Sequence, residues 1–140
     1  MEIIRGPLSE HERGVLEVLL PVDRQTVLKH RWRGTADDGR EFGFDLAEPL
    51  RDGAPFFYAE GTTYILAQQP EPVLEIALSV PADSARFGWL VGNLHFPLEI
   101  GPDAIRVADD PALRQMLLRE GIPFTEALRV FNPFRHGHVH

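Results

Sequence analysis

The chain has 140 residues, room for one average domain or two small ones, and its 44% hydrophobic and 25% charged content is ordinary for a globular protein. A formal net charge of −7 argues against a nucleic-acid backbone as partner, because phosphate binding needs clustered Lys and Arg. The absence of cysteine excludes disulfides, thiolate metal sites and cysteine nucleophiles together, so any transition-metal site must use imidazole and carboxylate. No apolar run reaches the length of a membrane span, and Met1 to Pro7 lacks the basic-then-apolar pattern of a secretory leader. The expectation is a cytoplasmic protein that meets neither membrane nor nucleic acid.

From the N-terminus, residues 13 to about 72 read as short strands punctuated by turns. Val15 to Leu20 and Thr26 to Trp32 have strand length with β-branched or aromatic content. Asp38-Gly39 lies between Trp32 and Phe42-Gly43-Phe44, a hairpin signal, because this pair tolerates positive φ. Asp52-Gly53-Ala54-Pro55 predicts a second turn into Phe56-Phe57-Tyr58, and Glu60-Gly61 a third before Thr62 to Ala67. The prolines of Gln68-Gln69-Pro70-Glu71-Pro72 mark a boundary. Residues 1–72 are therefore expected to form an N-terminal all-β domain, possible ground for binding a peptide or partner.

Beyond the boundary the elements alternate. Val73 to Leu78 predicts a strand, and Asp83 to about Leu94 a helix whose Phe87, Leu90, Val91 and Leu94 fall on one stripe. Strands follow around Leu98 to Ile100 and Ala104 to Val107, with Gly101-Pro102-Asp103 between them. Asp110 as N-cap and Pro111 at the first helical position open a second helix, with Leu113, Met116 and Leu117 on one face and Gly121 and Pro123 as its stop. A last strand runs from Phe124 to Phe131. The order β-α-β-β-α-β predicts a ferredoxin-like unit over residues 73–134, and an α+β protein overall. Residues 135–140 form a histidine-bearing tail.

The histidines are unevenly placed. His11, in a polar stretch, and His30, beside Lys29 and Arg31, read as solvated surface residues. His95 closes the first helix after Gly92 and before Pro97; by spacing alone it is an ordinary helix-terminal cation. The tail, Arg135-His136-Gly137-His138-Val139-His140, spaces its imidazoles by two, so an extended chain presents them on one side. Short His-rich tracts bind metal by composition. Asp37-Asp38 is explained by its turn and Asp109-Asp110 by helix capping, and Ser9, Ser79 and Ser84 lack an adjacent base. With no phosphate loop, nucleophile elbow or His-Glu-x-x-His motif, catalysis is not expected.

Gly92-Asn93-Leu94-His95-Phe96-Pro97 resembles the Gly-Asn-Arg-His segment, with a proline two residues on, of the UreE family of urease accessory proteins. Arg33 to Arg40, Leu50 to Gly53, the helix from Asp110 to Gly121 and the closing Phe131-Asn132-Pro133-Phe134 are similar as well, so the likeness spans nearly the whole chain. It implies a β domain, then a ferredoxin-like metal-binding and dimerisation domain. It also implies a homodimer in which His95 of each subunit shares one Ni²⁺, assisted by His136, His138 and His140, with Cu²⁺ and Zn²⁺ as competing ions. The implied task is nickel supply for the urease metallocentre, with the urease accessory GTPase and the apo-urease complex as partners. Leu94 stands where the family has Arg, and Ala108-Asp109-Asp110-Pro111 lacks the extra histidines of some members. The alternative is a non-catalytic protein-interaction module of general proteostasis whose metal binding is incidental.

Overall fold

The computed structural model describes residues 1–9 and 14–134. Its strands and helices make an α+β protein that divides into two compact units, Met1–Gln69 and Pro70–His140.

The first unit contains β1 (Glu2–Ile4), β2 (Leu16–Val22), α1 (Arg24–Val27), β3 (Arg31–Thr35), β4 (Glu41–Asp45), β5 (Pro55–Ala59) and β6 (Thr62–Gln68). They form two three-stranded sheets, ordered β1-β4-β3 and β2-β6-β5. The anticipated hairpins are present. Gly39 turns β3 into β4 at φ 90°, and Glu60 and Gly61, at φ 52° and 76°, supply the two positive φ values of a tight turn between β5 and β6. Two pairings have no local turn to announce them: β1 with β4 and β2 with β6, both parallel. An aromatic core joins the elements. Phe42 meets Phe56 edge-on at 5.1 Å, Trp32 stacks on Phe44 at 3.8 Å, and Leu20 and Leu66 are fully buried.

The expected strand from Thr26 to Trp32 does not form. Asp23 accepts a hydrogen bond from the Thr26 N–H at 2.7 Å and caps the one-turn helix α1, so the chain regains extended geometry only at Arg31. A side-chain cap offered so close by outcompetes a weak strand preference. The first unit is thus β except for that turn, and His30 lies just ahead of β3 rather than within a strand.

The second unit runs β7 (Glu71–Ala77), α2 (Pro81–Asn93), β8 (Glu99–Ile100), β9 (Ala104–Ala108), α3 (Pro111–Glu120) and β10 (Thr125–Arg129). The sheet order is β10-β7-β9-β8 with every pairing antiparallel: fourth, first, third, second of the unit's strands. Phe87 and Val91 of α2 and Leu113, Met116 and Leu117 of α3 join Leu74, Ile76, Ile105 and Val107 in one core, so both helices cover the same sheet face. Burying each such side chain stabilises by about 1.5–3 kcal/mol. Leu94, expected on this stripe, is instead 53% exposed as the C-cap residue that follows the end of α2 at Asn93.

Polar contacts brace the sheet. Glu75 of β7 accepts from Arg106 Nε of β9 at 2.5 Å on the face away from the helices, with Arg129 of β10 at 3.5 Å from the same carboxylate. Arg114 of α3 reaches Asp109 at 2.7 Å and Glu126 of β10 at 2.6 Å. The guanidinium of Arg114 holds the Asp109 carboxyl below its ordinary range, and those two carboxylates raise Arg114 in turn.

Candidate metal-binding site

The end of α2 fixes the candidate ligand. Pro81 stands in its first turn, where a missing N–H is harmless, while Val80 gives no side-chain cap. At the other end Leu94 N–H still donates to the Leu90 carbonyl at 3.2 Å. His95 then enters the left-handed region at φ 60°. Its N–H donates to Gly92 O at 3.2 Å, and the Phe96 N–H reaches back to Val91 O at 3.3 Å. These two bonds, with a left-handed residue between them, make a Schellman stop, and His95 holds the position that glycine usually takes. Phe96 packs onto the core that contains Val91, the apolar contact that accompanies this motif.

His95 is exposed, and the last turns of α2 and its cap also expose two large apolar side chains, Trp89 at 66% and Leu94 at 53%. Gly88 and Gly92 of the same helix have open space where a Cβ would sit. Among the described residues no three of His, Asp and Glu come together as a ready-made ion cage. Ion pairs engage Glu75, Asp109 and Glu126. A divalent ion bound by His95 would therefore need ligands besides those that the described residues of one chain bring together.

The other histidines divide simply. His30 directs Nδ1 to the Leu46 carbonyl oxygen at 2.9 Å, a structural hydrogen bond at the start of β3. His11, His136, His138 and His140 lie outside the described residues. The left-handed backbone at His95 escaped the sequence reading. Its signal was there: Val91 and Phe96, five apart across the end of a helix, are the apolar pair of a Schellman stop.

Fold and site together define a two-unit α+β protein that presents an exposed histidine at a left-handed helix stop. The family model "UreE urease accessory protein, C-terminal domain" matches residues 71–140. The urease accessory protein UreE of Nitrosococcus oceani is 33% identical over 118 residues, covering 80% of this chain and 71% of that protein. UreE of Pseudomonas putida is 33% identical over 136 residues, 95% of this chain and 81% of that protein. Against UreE of Ralstonia nicotianae, 32% identical, the match takes in 79% of this chain but only 57% of the longer relative. The chain belongs to the UreE family of urease accessory proteins. No helix among the described residues is long and apolar enough to cross a membrane.

Proposed function

We propose that the chain is a cytoplasmic metallochaperone that supplies Ni²⁺ for assembly of the urease metallocentre. In this reading residues 1–72 are the partner-binding β domain, 73–134 a ferredoxin-like metal-binding and dimerisation domain, and 135–140 a ligand-bearing tail. The observation that carries it is the exposed His95 at the end of α2, beside the exposed Trp89 and Leu94. A second copy packed against this end of α2 would bury both apolar side chains and bring two imidazoles to one ion. Gly88 and Gly92 support such a contact. A mid-helix glycine costs about 0.5–1 kcal/mol relative to alanine, and among the described residues nothing lies within 4 Å of where a Cβ would sit at either one. A close helix partner would use that space.

The chemistry suits a carrier. Paired neutral imidazoles hold a divalent cation while leaving coordination positions open, so His136, His138 and His140 complete or feed the site and the ion remains transferable. Nickel is cargo here, and Cu²⁺ and Zn²⁺ compete for the same nitrogen ligands. The receiving partners are the urease accessory GTPase and the apo-urease complex. Isothermal titration with Ni²⁺ on wild type, His95→Ala and a chain ending at Arg135 tests the assignment. Loss of the tight event in His95→Ala and of only weaker events on truncation is expected; undiminished tight binding by His95→Ala overturns it.

The proteostasis alternative draws on the first unit, where Met1, Ile3, Arg5, Arg31 and Arg33 line a groove of about 460 Å³. Full urease activation by the His95→Ala protein at low nickel would favour it.

A further inference from the structure

α2 and α3 end in the same hydrogen-bonded motif with different residues at its left-handed position. In α3, Gly121 at φ 66° donates its N–H to Leu118 O at 3.3 Å, and Ile122 N–H reaches Leu117 O at 3.0 Å. In α2, His95 at φ 60° donates to Gly92 O and Phe96 N–H to Val91 O, with the same spacings of three and five residues. Both motifs are anchored by the residue that follows: Ile122 is buried in the helix-covered core, and Phe96 packs against that same core. Glycine adopts this backbone without cost, whereas a residue with a Cβ is strained in it. The stop of α2 is therefore built at a position where the fold alone would favour glycine.

We propose that His95 is held in a strained, preorganised conformation by Phe96, which acts as the positioning residue of the metal site. The proposal rests on His95 being a metal ligand. The Schellman bonds fix the backbone at His95, and the anchored Phe96 ring keeps the turn from unwinding into a longer helix or a frayed end. Either escape would relieve the strain and carry the imidazole elsewhere. Such fixing matters for a ligand that belongs to no ready-made cluster among the described residues, because the backbone must then supply the restraint.

The test uses the full chain in five forms: wild type, His95→Gly, His95→Ala, Phe96→Ala and Phe96→Leu, with Phe124→Ala as a control from the same core. Phe124 packs on that core after α3, beyond Gly121. Melting of the metal-free proteins reads the strain. His95→Gly is expected to melt about 3 °C above both wild type and His95→Ala, and equal melting of the Gly and Ala variants overturns the strain. Ni²⁺ titration reads the positioning. Phe96→Ala should bind about tenfold more weakly with His95 intact, Phe96→Leu should recover most of the loss, and Phe124→Ala should melt lower yet bind as wild type. Wild-type affinity in folded Phe96→Ala, or equal weakening by Phe124→Ala, overturns the role of Phe96. Tight binding by His95→Gly would instead remove the ligand assignment itself, and the melting comparison would stand apart from that result.

Discussion

The two helices of the second unit differ in how far local stability was allowed to choose their ends. α3 is optimised at both: Asp110 accepts from Ala112 and Leu113 N–H at 2.8 and 3.4 Å, and Gly121 takes the left-handed stop. α2 lacks a side-chain cap at Val80, carries Gly88 and Gly92 in its body, and stops on a histidine. One helix serves the fold. The other accepts repeated small costs, and those at Gly88, Gly92 and His95 fall toward the end proposed to meet nickel and a second copy, as expected where local rules yield to function.

That contrast can be broken by moving residues between the two stops. Gly121→His places an imidazole in the left-handed position of α3 and should destabilise by about 1–2 kcal/mol, read as a lower urea midpoint with an unchanged slope. No gain in Ni²⁺ affinity is expected from it. If stability survived intact, the strain assigned to His95 would lose its basis.

Removing the cap that α3 has and α2 lacks comes next. Asp110→Ala should cost about 1 kcal/mol in the same titration, whereas Val80→Ala should leave the midpoint within experimental error. A comparable loss from both would erase the distinction between the helix starts.

A pH experiment sharpens the view of α3 as a structural strut. Arg114 lowers the Asp109 carboxyl, so this contribution is fully present above the unfolded value of about 3.9 and fades as pH falls through the lowered folded value. The destabilisation caused by Arg114→Ala should accordingly be largest near neutrality and shrink toward pH 2. A loss that stayed constant with pH would assign Arg114's role to packing against Phe124 instead, whose ring centroid lies 5.7 Å from the guanidinium. The smallest effect is expected in the first unit. Glu60 sits at φ 52° with no ligand role proposed, and Glu60→Gly should stabilise by about 0.5 kcal/mol.

The same contrast explains what could be read from residues alone. α3 was legible because Asp110, Pro111, the Leu113-Met116-Leu117 face and Gly121 all agree, and the hairpins at Gly39 and Gly61 announced themselves similarly. α1 was obscured because Asp23's cap overrides a β-branched run at Thr26-Val27, and β1 because its three residues gain their place only by pairing with β4, about forty residues away. At the site, the position of His95 was legible but its backbone was not. A left-handed histidine is uncommon, and the stripe through Phe87, Leu90 and Val91 invites extension of the helix through Leu94.

Native mass spectrometry of the protein with limiting Ni²⁺ reads out the proposed sharing of one ion by His95 of two chains. About one tightly held ion per dimer is expected in wild type and, in His95→Gly, a folded dimer that retains none. Ni²⁺ retained by isolated single chains, or by the His95→Gly dimer at the wild-type level, would contradict it.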